Sequence, residues 1–123
     1  MVKASLRTGK FPVLKKSFFE QVYDLVALIP AGKVMTYGQI GRVLNSPYSA
    51  RIVGFAMRAA PEERKLPCHR VLNRLGAMAG GAIFGGEDTQ RAKLKQEGVP
   101  LLKNGHADLA KALFEPEEHL IAF

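Results

Sequence analysis

The sequence holds one cysteine, Cys68, among its 123 residues. That excludes an intrachain disulfide framework and a zinc site built on several cysteines. The three histidines, His69, His106 and His119, are scattered, so no structural metal is expected, and no cofactor. Long apolar runs are missing too. No stretch approaches the roughly 20 apolar residues of a membrane span, and the basic N-terminus lacks the continuous apolar segment of a secretory signal. The expectation is an intracellular protein with a reduced thiol. Acids are scarce: Asp plus Glu number 11 against 18 Lys plus Arg, a net charge of +7. A small domain this basic is drawn to polyanions, nucleic acid first and acidic membrane surfaces second. The plain alternative is a solubilising surface without a partner.

What is present reads as one soluble globular domain, with 47% hydrophobic and 24% charged residues. A chain of this length can close one modest core without staples. Residues 1–16 contain no acid and no clear period, and are expected to be a flexible basic arm. Ser17 and Glu20 have capping-box spacing, and Phe18, Val22, Leu25 and Ile29 recur behind them at helical intervals until Pro30. Val34 and Met35 suit a short extended link. Thr36 and Gln39 repeat the capping-box spacing ahead of a helix from Tyr37 to about Leu44. Asn45-Ser46-Pro47 breaks that helix, and Pro47 suits the start of a third, running to about Ala60 with Ile52, Val53, Ala56 and Met57 inward.

Two short helices, the second small-surfaced and basic with Arg51 and Arg58 on one face, fit a helix-turn-helix. An ordinary helical hairpin is the alternative. Gly76 to Gly86 reads as a loop whose backbone approaches something closely. Gln90 to Glu97 suits a helix ended by Gly98, Asn104-Gly105 hints at a hairpin, and Leu109 and Leu113 have helical spacing. The predicted fold class is mainly α, a winged helix-turn-helix single domain over residues 17–102, with a short hairpin or helix extension over 103–123.

A lone cysteine is usually a small buried hydrophobe. Here Pro67 precedes it and His69 and Arg70 follow, and basic neighbours favour the nucleophilic anion. A histidine can also take the proton through a water if a carboxylate orients its other nitrogen. Glu97, Glu87 and Asp88 are the candidate carboxylates, and spacing does not choose among them.

Pro67-Cys68-His69-Arg70-Val71 resembles the active-site signature of the O6-alkylguanine-DNA alkyltransferases. Ile29-Pro30-Ala31-Gly32-Lys33-Val34-Met35-Thr36-Tyr37-Gly38-Gln39-Ile40 and Ala50-Arg51-Ile52-Val53-Gly54-Phe55-Ala56-Met57-Arg58 are similar to blocks of the same family, in the same order. The resemblance covers about Ser17 to Leu102. It implies a monomer whose partner is double-stranded DNA containing O6-alkylguanine. It implies Cys68 as alkyl acceptor, His69 as a water-mediated proton relay, and Glu97 as the acid orienting it. Tyr37 would sit by the flipped nucleotide and protonate the departing guanine. Arg51 would fill the gap in the base stack, and Ala50, Gly54 and Arg58 would lie along the minor groove. Met57, with Ile83 and Phe84 of the glycine-rich loop, would wall the alkyl pocket.

The likeness has departures. Only residues 1–16 precede the matched region, so the family's N-terminal domain and any metal site within it are not expected. The family's Asn eight residues before the cysteine is Ala60 here, and the pocket loop reads Ala82-Ile83-Phe84-Gly85-Gly86. In these respects the chain resembles alkyltransferase-like proteins, which flag the lesion for excision-repair proteins without removing the alkyl group. Most of those carry tryptophan where Cys68 stands. Transfer to Cys68 is thus the leading expectation and lesion sensing the alternative. A helix-turn-helix transcriptional regulator is the third, and a redox enzyme is disfavoured because no second cysteine exists to resolve an oxidised one.

Overall fold

The computed structural model describes residues 16–45, 50–78 and 86–116. Helix α1 (Phe18–Val26) opens with a reciprocal capping box. The Ser17 hydroxyl accepts from the Glu20 amide, and the Glu20 carboxylate accepts from the Ser17 amide. A short strand, β1 (Met35–Thr36), leads into α2 (Tyr37–Val43), where Thr36 and Gln39 form the same reciprocal box. Helix α3 (Ala50–Arg58) packs on both α1 and α2. The turn that would hold Pro47 lies outside the described residues, as do the basic arm over residues 1–15 and the loop carrying Ile83 and Phe84. Single 3₁₀ turns at Glu62–Arg64 and Cys68–Arg70 lead to β2 (Val71–Leu72), which pairs in parallel with β1, Met35 against Val71. Helices α4 (Glu87–Gln96) and α5 (Leu109–Ala112) complete the mainly helical fold.

Two apolar clusters hold these elements. The first joins α1, α2 and α3 through Val22, Leu25, Val26, Ile29, Ile40, Val53 and Ala56, with Met35 and Val71 from the strands. Tyr23 lies within it and spends its hydroxyl on the Ala56 carbonyl at 2.8 Å, so its one polar group is satisfied where it is buried. The second cluster gathers Val34, Leu72, Met78, Leu94, Val99, Ala107 and Ala112. Strands β1 and β2 run between the clusters, and their residues alternate sides: Met35 and Val71 face the first, Val34 and Leu72 the second.

The described part of the segment read from sequence as an extension, residues 103–116, is built into this second cluster. Val34 and Leu113 pair in parallel, with Val34 N donating to Ala112 O and Phe114 N to Val34 O. Gln39 Nε2 then donates to Phe114 O at 2.7 Å. The hairpin expected at Asn104-Gly105 is present: Leu101 pairs antiparallel with Ala107, Asn104 Oδ1 accepts from the His106 amide, and Gly105 has φ +87°. The structure corrects two boundaries and one burial. Helix α3 ends at Arg58 rather than Ala60, and among the described residues it begins at Ala50. Helix α4 begins at Glu87, not Gln90, because Gly86 at φ +104° turns the chain and Glu87 and Asp88 suit a helix N-terminus. Ile52, expected inward, is only half-buried.

Candidate functional site

Cys68 owes its placement to the proline before it. Pro67 has φ −78° and ψ 63°, and the Cys68 amide donates to Leu66 O at 2.8 Å. That is an inverse γ-turn, suited to proline's fixed φ. The 3₁₀ turn that follows, closed by Arg70 N on Pro67 O at 3.0 Å, sends His69 and Arg70 toward α4 and runs straight into β2. Cys68 is half-buried and packs against the first cluster. It lines a cavity of about 440 Å³ with Met57, Arg58, Ala60, Leu66 and His69 among the walls. This volume is in the range of small-ligand pockets.

The structure selects Glu97 among the candidate carboxylates. Glu97 Oε2 lies 2.9 Å from His69 Nε2, and the Arg70 guanidinium grips both carboxylate oxygens, Nε at 2.9 Å and Nη2 at 2.6 Å. Glu87 and Asp88 instead stand exposed beside Arg91. The Arg70 hydrogen bonds, with those of His69, draw the Glu97 carboxyl down to about 2 despite its burial. An ionised carboxylate only accepts, so His69 must donate from Nε2, and its neutral tautomer leaves Nδ1 as an acceptor. Arg70 Nη1 also donates to Ile29 O at 2.7 Å. The network therefore ties the end of α4 and the turn after α1 to the cysteine turn.

Arg70 overturns one expectation. As a sequence neighbour it was to favour the Cys68 anion, but its charge is spent on Glu97 and the Ile29 carbonyl. Burial instead pushes the Cys68 thiol up, with its own backbone amide opposing. The sulfur rests as a thiol at neutral pH.

Tyr37, expected beside the flipped nucleotide, lines a second cavity of about 580 Å³ with Ala50, Arg51, Gly54, Phe55, Arg58, Asn73 and Met78. Arg58 lines both cavities, and Tyr37 lies within electrostatic reach of Arg58 and Cys68. Burial pushes the Tyr37 phenol up, so it stays protonated and able to donate. The structure thus gathers Cys68, His69, Met57 and Arg58 at one cavity, Tyr37, Arg51, Ala50, Gly54 and Arg58 at its neighbour, and Glu97 behind His69. Ile83 and Phe84 lie outside the described residues.

Sequence reasoning missed two residues. Gln90 is fully buried, and its Nε2 donates to His69 O at 3.0 Å, holding the cysteine turn to α4. The only signal was Gln90 and Leu94 at helical spacing in a charged helix. Phe55 was passed over inside its block. It is 40% exposed, with the Arg51 and Arg58 guanidiniums 5.6 and 4.8 Å from its ring centre.

This arrangement can be set beside known proteins. Alkyltransferase-like protein 1 of Schizosaccharomyces pombe is 44% identical over 84 residues, covering 68% of this chain and 78% of that protein. A methylated-DNA–protein-cysteine methyltransferase of Salmonella typhimurium is 41% identical over 85 residues, covering 69% of this chain and 48% of the enzyme, so the chain spans about half that relative's length. Among solved structures, S. pombe Atl1 in complex with damaged DNA containing O6-carboxymethylguanine superposes with a TM-score of 0.69 at 38% identity, over 80% of this chain and 95% of that one. The family described as the DNA-binding domain of 6-O-methylguanine DNA methyltransferase matches residues 17–99, and the chain belongs to it.

Proposed function

We propose that this chain binds duplex DNA through the α3 face, in the minor groove, flips O6-alkylguanine out of the stack, and takes the alkyl group onto Cys68. The observation that carries the reading is the pair of adjoining cavities. One is lined by Cys68 and His69, the other by Tyr37 and Arg51, and Arg58 lines both. An extruded base needs a pocket beside the duplex surface, and unstacking it costs a few kcal/mol that a side chain filling the gap offsets. Arg51, exposed on α3, is the residue for that gap.

Transfer forms the Sγ–C bond and breaks the C–O6 bond. The thiol proton passes through a water to His69 Nδ1, and Glu97 stabilises the imidazolium that results. The electron pair of the C–O6 bond stays on guanine, which takes a proton from the Tyr37 hydroxyl, and Tyr37 recovers one from solvent. Among the described residues no group near Cys68 could cleave the thioether, so each molecule acts once. Ala60 stands where an amide side chain would brace this turn.

A second reading is favoured by Ala60, which leaves the site without the amide side chain of the transferring relatives, and by the likeness to S. pombe Atl1 over 95% of that chain. In it the same two cavities capture the lesion without transfer, and the complex recruits excision-repair proteins. Intact-protein mass spectrometry after mixing with a duplex bearing O6-methylguanine separates the two. One methyl group gained on Cys68, and none in Cys68→Ala, supports transfer. Tight lesion binding at unchanged mass supports sensing. Equal affinity for damaged and undamaged duplex would refute both.

A further inference from the structure

We propose that Phe55 is an apolar wedge of the DNA-contacting face, packing its ring against the sugars and base edges of the duplex beside the flipped nucleotide; this rests on the reading of α3 as the DNA-facing helix. Phe55 projects from the middle of α3, four residues after Arg51 and three before Arg58, so the three side chains form one stripe. The ring is 40% exposed although both guanidiniums lie over it. A phenyl ring left open to water has a surface to bury. This one borders the cavity that Tyr37, Arg51 and Arg58 also line.

The occupant is set by charge. A ring between two arginines suits a polyanion, since Arg58 can meet a phosphate and Arg51 the gap in the stack while the ring meets what lies between them. In a minor groove that is deoxyribose and base edge, the surfaces against which apolar wedges are pressed in bent duplexes. Each guanidinium over the ring also loses some freedom before binding, which lowers the ordering cost of inserting Arg51. An acidic protein surface would use the arginines but leave the ring facing charged side chains rather than sugar and base edge.

The test uses the full chain and a fluorescent duplex carrying one O6-methylguanine. Titrations at several salt concentrations are run on wild type, Phe55→Ala, Phe55→Tyr and Phe55→Leu. Loss of the apolar contact made by a phenyl side chain on binding corresponds to about a tenfold weaker Kd. The wedge predicts that loss in Phe55→Ala, recovery in Phe55→Tyr and partial recovery in Phe55→Leu, with the slope of log Kd against log salt unchanged because no phosphate contact is removed. A Phe55→Ala affinity within about twofold of wild type would overturn the proposal. So would a loss accompanied by a shallower salt slope, which would mean that Phe55 acts only by holding the arginines. If the wild type itself shows no preference for the lesion, the functional reading fails first and the wedge falls with it.

Discussion

Replacing Glu97 with glutamine tests the centre of the site. The side chains of His69, Arg70 and Glu97 are 16%, 17% and 20% exposed, so solvent screens their interactions only partly. The carboxyl is drawn from its usual 4.5 to about 2. Such a depression corresponds to about 3 kcal/mol in favour of the ionised folded form. Glutamine keeps the shape and one acceptor for Arg70 but removes the charge. At pH 7 the variant is expected to be less stable by about 2–3 kcal/mol, a fall of about 10 °C in Tm for a chain of this size.

Acid removes the difference. The unfolded carboxyl takes up its proton near 4.5 while the folded one holds out to about 2. The stabilisation is thus complete above the unfolded value and is lost as the pH falls through this window. Urea unfolding of both proteins from about pH 7 to about pH 2.5 should show the gap closing on acidification. At Asp24 burial pushes up while Lys16 and Arg64 pull the carboxyl down, and it titrates in both proteins, so it drops out of the comparison. A gap that stays constant across the window would refute the assignment of the network to an ionised Glu97.

Four further outcomes follow from particular contacts. Gln90→Leu leaves the His69 carbonyl without its donor, so a loss of about 1–3 kcal/mol is expected, with transfer slowed beyond what the lost folded fraction explains; single-turnover kinetics at full folding checks it. Gly76→Ala would place a Cβ 2.6 Å from Ala107 O at φ +78°, and a drop of about 2 kcal/mol or more in urea melts is expected, while wild-type stability would contradict the close approach. Cys68 should react with iodoacetamide more slowly than a small free thiol at neutral pH and accelerate only above the ordinary thiol value of 9.0, because burial favours the thiol; faster reaction at pH 7 would count against it. Arg51→Ala should reduce preference for the lesion more than affinity for undamaged duplex, and unchanged discrimination would remove α3 from the interface.

The helices were legible because their signals are local. Ser17 with Glu20 and Thr36 with Gln39 sit three residues apart, and each pair closes the reciprocal bond its spacing predicts. The inward positions Val22, Leu25, Ile29, Ile40 and Val53 follow from the 3.6-residue period. The pairings that join the second cluster were hidden. Val34 meets Leu113 through a single bridge, and β1 and β2 are two residues each, too short for any alternation to register. Of the site, the positions of Cys68, His69 and Glu97 came from a resemblance rather than from physics. The physical reading left three carboxylates open, and only the folded end of α4 chose between them. The Arg70 reading failed because adjacency in sequence says nothing about direction: in a 3₁₀ turn successive side chains point about a third of a turn apart, and the guanidinium leaves the sulfur for Glu97.

That direction separates the two tasks of the proposed function. Capturing an extruded base depends on the α3 face and the adjoining cavities, and none of those walls requires an ionised sulfur. Transfer adds one demand, that a buried thiol lose its proton as its sulfur attacks. Had Arg70 lain against Cys68, the thiolate would persist in the free protein, open to any electrophile that reached the cavity. With Arg70 held on Glu97, the charge acts at one remove: it keeps the carboxylate ionised, the carboxylate keeps His69 donating from Nε2, and the proton acceptor Nδ1 is left for the moment of attack. On the proposed function, reactivity then depends on a bound alkyl carbon rather than on the resting thiol, and lesion binding needs no sulfur. Cys68→Ala should accordingly retain lesion preference within a few-fold of the wild type while accepting no alkyl group, and a variant that lost both together would show that recognition itself runs through the sulfur.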